Sequence, residues 1–89
     1  MSRITVSRPT PSELVALGTD AWDSWSCGVS TFPWHYDSQE TCYVLAGRVT
    51  VEAEGEKVEI GPGNLATFPA GLDCIWHVHE PIRKVYRFE

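Results

Sequence analysis

The stretch Arg48-Val49-Thr50-Val51-Glu52-Ala53-Glu54-Gly55-Glu56-Lys57-Val58-Glu59-Ile60 contains two runs of alternating polar and apolar residues with a glycine between them. Side chains along a strand point to opposite faces in turn, so each run reads as a strand with one face buried. Gly55 supplies a left-handed turn without steric cost, and the stretch predicts an antiparallel hairpin.

Outward from this hairpin, Gly47, Gly63 and Gly71 fall where other extended runs end and mark turns. The predicted strands cover 29–36, 41–45, 48–53, 57–60, 65–68, 73–78 and 82–88, with a short one at Ile4-Thr5-Val6. Many short strands at regular spacing predict an all-β sandwich or barrel. A single short helix is expected after Thr10, where Thr10 and Glu13 form a capping box, Pro11 takes the first helical position and Gly18 stops the helix. Residues 21–28 read as a loop entering the first long strand, with Trp22 and Trp25 covering an open end or flank of the barrel.

At 89 residues and 10.0 kDa the chain reads as a single domain, 1–89, near the lower size limit for one hydrophobic core. A homodimer is therefore expected, and the alternating Val49, Val51, Val58 and Ile60 could face a second subunit's sheet. Four Trp, three Tyr and three Phe point to an aromatic core in a β-barrel. A net charge of -5 speaks against nucleic-acid binding, which needs a basic face. Arg83, Lys84 and Arg87 cluster near the C-terminus, as a solvated strand face or a local anion site. No apolar run is long enough for a membrane helix and no charged-then-apolar N-terminal signal is present, so a cytoplasmic protein without membrane contacts is expected. Cys27, Cys42 and Cys74 lack Cys-x-x-Cys spacing and read as free thiols in a reducing compartment.

Two spaced patterns carry a family resemblance. The first is Gly28, five residues, Trp34-x-Tyr36, three residues, Glu40, six residues, Gly47; the second is Gly63, five residues, Pro69-x-Gly71, two residues, Cys74. Over residues 22–88 the chain resembles the cupin superfamily of RmlC-like proteins. The runs Phe32-Pro33-Trp34-His35-Tyr36-Asp37, Phe68-Pro69-Ala70-Gly71 and Arg83-Lys84-Val85-Tyr86 narrow the resemblance to the small cupins related to ureidoglycine aminohydrolase and the ethanolamine-utilisation cupin. It implies a cupin-type double-stranded β-helix, a jelly-roll barrel. It also implies where a metal would sit, since metal-binding cupins use two His and a Glu of the first pattern and a His of the second. Those positions hold Trp34, Tyr36, Glu40 and Cys74, so only Glu40 keeps the family's ligand and the metal site is expected to be degenerate. No cofactor is expected; a divalent Mn, Fe or Zn, if bound, would rest on Glu40, Cys74 and Tyr36. A register shifted to use His35 would put Pro33 and Cys27 where His and Gly belong, a worse fit.

Strand phase points Trp34, Tyr36 and Glu40, then Cys74, Trp76 and Val78, then Ile82, Lys84, Tyr86 and Phe88 into the barrel. Glu40, Lys84 and Cys74 are the candidate catalytic groups, and Trp34, Tyr36, Trp76 and Tyr86 the candidate ligand-binding walls. A buried Glu40 needs a partner, with Lys84, Tyr36 or Cys74 available, and such an environment is how sites tune acidity. Cys74 is either inert packing or, beside Lys84, an activated thiol, and Cys42 shares the face of Glu40. His77 and His79 alternate with the inward residues and so lie outside the barrel, as does His35. Three readings follow: a barrel binding a small polar metabolite, an aminohydrolase- or isomerase-type enzyme using Glu40, or a structural homodimeric barrel with a filled core.

Overall fold

Two long antiparallel strands organise the chain, β4 (Glu40–Ala53) and β7 (Asp73–Phe88), paired side by side along most of their length. The computed structural model describes residues 3–89. The remaining strands are β1 (Thr5–Ser7), β2 (Asp23–Cys27), β3 (Ser30–His35), β5 (Glu56–Ile60) and β6 (Leu65–Phe68), with helix α1 (Pro11–Leu17) and a 3-10 turn at Thr19–Ala21 between β1 and β2. Each long strand serves two sheets. The first half of β4 and the second half of β7 join β6, β1 and β2 in the order β1-β6-β4-β7-β2. The other halves lie between β5 and β3. All pairings are antiparallel, the arrangement expected of a jelly roll.

The passage from one sheet to the other occurs at a cluster of bulges. Register shifts lie between Val44 and Ala46, between Ala46 and Arg48, and between Arg48 and Val49. They reverse the phase of β4: Cys42 and Val44 are buried before them, Val49, Val51 and Ala53 after them. The sequence pattern predicts separate strands at 41–45 and 48–53, and at 73–78 and 82–88; the structure corrects this to two continuous, kinked strands. Gly47 marks the kink because it takes φ +91° and a Cβ there would run into the Pro81 carbonyl and approach Ile82 Cα to 2.6 Å. Pro81, which has no N–H to give to a ladder, sits in the irregular stretch opposite.

The predicted hairpin is present, with Ala53 facing Glu56 and both residues of its turn at positive φ, Glu54 at 52° and Gly55 at 78°. That geometry matches the right-handed twist of the flanking strands. The capping box is also formed, as the Glu13 amide donates to Thr10 Oγ1 and the Thr10 amide donates to Glu13 Oε1. β1 is displaced by one residue from its expected 4–6. The largest departure is β2, which the sequence reading took as loop: its alternation is carried by polar Asp and Ser around Trp25, and it gains its order by pairing with β7.

One buried cluster fills the space between the sheets, including Val44, Val49, Val51, Ile60, Phe68, Trp76, Val78 and Ile82. This corrects the reading that Val49, Val51, Val58 and Ile60 face a second subunit. Val49, Val51 and Ile60 are buried within this chain, and Val58 packs against the same core.

Candidate functional site

Glu40 opens β4, opposite Phe68 on one side and Phe88 on the other, and its side chain enters the barrel. Lys84 enters from β7, and its Nζ donates to Glu40 Oε2 at 2.6 Å, with the two side chains only 7% and 3% exposed. Aromatic rings surround this ion pair. Lys84 Nζ lies 4.5 Å from the centre of the Trp76 ring, 5.2 Å from that of Trp25 and 5.7 Å from that of Tyr86, distances at which a cation is attracted to ring faces.

Sheet register accounts for this gathering. Trp25 on β2 lies directly opposite Lys84 on β7, and Phe32 on β3 lies opposite Trp76, whose ring it stacks on at 6.2 Å and 12°. Tyr36 stacks on Phe68 at 5.0 Å and 6°, which fixes its ring against the barrel floor. Burial raises the pKa of the Tyr36 phenol far above its ordinary value, and the nearby Glu40 carboxylate pushes it in the same direction. Together these groups enclose a cavity of ≈ 220 Å³ lined by Trp25, Phe32, Trp34, Tyr36, Glu40, Trp76, Lys84, Tyr86 and Phe88.

Of the residues expected at the site, Tyr36, Glu40, Trp76 and Lys84 form its buried part and Tyr86 a half-buried wall. Trp34 stands at the rim with Phe88, 49% exposed rather than turned inward. Cys74 is buried but does not line this cavity; its Sγ contacts the Trp34 carbonyl at 3.5 Å, and it borders a shallow groove with Pro33, His35 and Asp73 instead. The sequence reading left Phe32 out of the site and gave Trp25 only a covering role. Phe32 has the phase of Trp34 and was legible on that ground; Trp25 depended on a strand that the sequence reading missed.

Burial raises the pKa of both buried thiols. Burial pushes Cys42 up to about 12 against the lowering effect of the Lys84 charge. Burial also raises Cys74, against the pull of the Trp76 indole N–H. That N–H does not reach the sulfur with hydrogen-bond geometry and is buried without a partner among the described residues. Cys27, Cys42 and Cys74 are all free.

The family's metal does not fit these residues. Trp34 offers no metal-ligating atom, Cys74 lies outside the cavity that Glu40 and Tyr36 line, and the Glu40 carboxylate already pairs with an ammonium. Among the described residues no group of three or more His, Cys, Asp or Glu is arranged to hold a metal.

The histidines lie outside the barrel: His77 Nε2 meets Glu52 Oε1 at 3.1 Å, His79 Nε2 meets Thr50 Oγ1 at 2.8 Å and His35 Nδ1 meets Asp73 Oδ1 at 2.8 Å. Lys84 departs from its basic neighbours, since Arg83 and Arg87 are exposed. Arg87 lies 5.0 Å from the Trp22 ring centre and pairs with Glu89 at 3.3 Å.

The kinked pair of long strands, the two sheets and the charged interior define a small cupin barrel. The chain belongs to the EutQ-like cupin domain family, whose sequence profile matches residues 14–86. It is similar to a DUF861 family protein from Thermotoga maritima, 45% identical with a TM-score of 0.96, covering 98% of this chain and 100% of that one. The EutQ protein of Clostridium difficile is 26% identical with a TM-score of 0.69, over 73% of this chain and 52% of that one. A putative ethanolamine utilization protein Q from Salmonella typhimurium shares the fold at 19% identity and a TM-score of 0.65, covering 96% of this chain and 68% of that one. No curated protein matches the chain. No helix among the described residues is long and apolar enough to cross a membrane.

Proposed function

We propose that the protein binds a small polar metabolite in its barrel, with Glu40 and Lys84 as polar anchors and Trp34, Tyr36, Trp76 and Tyr86, joined by Trp25 and Phe32, as walls. The observation that carries this reading is the position of the ion pair. A buried charged pair is costly to desolvate and adds little stability over an apolar filling of the same space. Here it stands at the floor of a cavity of ≈ 220 Å³ with apolar walls, the make-up of a small-molecule site. A pair that only tied two strands together would gain nothing from the open volume in front of it.

A second reading, proton transfer on the bound molecule, draws on Glu40, which pairs with the Lys84 ammonium and lines the cavity together with the Tyr36 phenol. It would make the protein an aminohydrolase- or isomerase-type enzyme without a metal, and it adds a chemical step to the same binding site.

Native mass spectrometry of untagged protein, with elemental analysis of the same sample, tests the binding reading. A retained organic molecule that leaves when Trp76 or Tyr86 is replaced by alanine supports it. One firmly held metal per chain, lost in Glu40→Gln, would oppose it.

A further inference from the structure

The Lys84 ammonium carries three N–H donors, and among the described residues its one hydrogen-bond acceptor is Glu40 Oε2. For the rest, Nζ relies on the faces of Trp76, Trp25 and Tyr86. Ring faces offset part of the cost of burying an ammonium, and an oxygen acceptor offsets more. On the acceptor side the cavity wall offers the Glu40 carboxylate, which Lys84 already engages, and the Tyr36 and Tyr86 hydroxyls. The Lys84 ammonium therefore keeps N–H donors free for an occupant of the cavity. A cationic ligand would also meet the Lys84 charge, which itself fills the place over three rings that such a ligand would take.

From these free donors we propose that the ligand is a small carboxylate with a flat, unsaturated body, one carboxylate oxygen resting on Lys84 Nζ and the body lying between the aromatic walls. The proposal rests on the binding reading above and names its ligand class. The size agrees: a dry cavity of about 150 Å³ holds a benzene molecule, so ≈ 220 Å³ accommodates a single ring bearing one carboxylate. The stacked Phe32 and Trp76 rings give a planar body a face to lie against.

The test is calorimetric titration of the purified wild-type protein with three compounds of one shape, benzoate, benzamide and benzylamine. Benzoate is expected to bind tightest, benzamide weaker by about tenfold because its oxygen carries no full charge, and benzylamine not measurably. In the double variant Glu40→Gln with Lys84→Met, folded by circular dichroism, the preference for benzoate over benzamide is expected to vanish; Lys84→Arg keeps the cation and should keep the preference. The ranking on wild-type protein stands whether or not the variants fold. Benzylamine binding as tightly as benzoate, or the folded double variant retaining the preference, would overturn the carboxylate proposal and leave the binding reading in place. No binding of any of the three would overturn the carboxylate proposal, while the retained molecule sought by native mass spectrometry decides the binding reading separately.

Discussion

The interiors of β4 and β7 are built in two contrasting ways along the same pair of strands. Around the bulges the inward residues are aliphatic, Val44, Val49, Val78 and Ile82 with Ile60 beside them, all buried. Toward Glu40 on β4 and beyond Ile82 on β7 they become an ion pair among aromatic rings, joined by Trp76 from the other half of β7 and Phe32 from β3, and a cavity remains. Branched aliphatic side chains have no polar atoms to satisfy and interdigitate until space is gone. Large flat rings stack on one another, Tyr36 on Phe68 and Phe32 on Trp76, and so hold their positions without closing over the charges. One stretch is filled by its own side chains, and the other leaves a cavity.

Substitutions separate the two stretches. Removing one member of the buried pair leaves the other charge unpaired, so Lys84→Met should lower stability by about 4 kcal/mol. Adding Glu40→Gln should restore stability to within about 1 kcal/mol of wild type, measured by urea unfolding, because the pair gives little net stability. A double variant as unstable as the single one would mean that the pair itself holds the barrel together. At the kink, Gly47→Ala should cost about 3 kcal/mol, since a Cβ meets the Pro81 and Ile82 backbone and forces a left-handed conformation on alanine. A smaller loss would show that the two halves adjust independently.

Alkaline titration reads the packed thiol next to the charged site. Cys42 is raised from 9.0 to about 12 in the folded protein, so its contribution to stability is complete below pH 9 and is lost between pH 9 and 12 as the unfolded chain ionises first. The expected slope is about 1.4 kcal/mol per pH unit from this thiol, and Cys42→Ala should flatten the curve by that amount. The smallest effect belongs to the aliphatic stretch, where Ile60→Val should cost about 1 kcal/mol and leave ligand binding unchanged. Weakened binding in Ile60→Val would tie the two stretches together.

Much of this fold was legible because its turns need particular residues. Gly47 and Gly55 sit where the backbone takes positive φ, and the hairpin, the helix cap and the inward phase of Glu40, Trp76 and Lys84 followed from local chemistry. The continuity of β4 and β7 was not legible, since a glycine and a proline inside a strand read locally as ends, and only the partner strand shows that pairing resumes beyond them. β2 was missed for a related reason: Asp23, Ser24 and Ser26 have weak strand preference, and order there comes from β7. With β2 went the role of Trp25. Sequence phase brings Lys84 and Glu40 to one interior but does not fix their contact, which depends on the register of β4 against β7, with Glu40 opposite Phe88 and Val44 opposite Lys84.

The most direct measurement is a titration of ¹⁵N-labelled protein with benzoate, following the indole N–H signals of its four tryptophans. Trp25, Trp34 and Trp76 line the cavity, whereas Trp22 lies against Arg87 outside it and serves as an internal reference. A barrel pocket with free Lys84 donors predicts saturable shifts of the first three signals with Trp22 unmoved. Four signals that stay in place, or that drift together without saturating, would contradict it and point to a filled core.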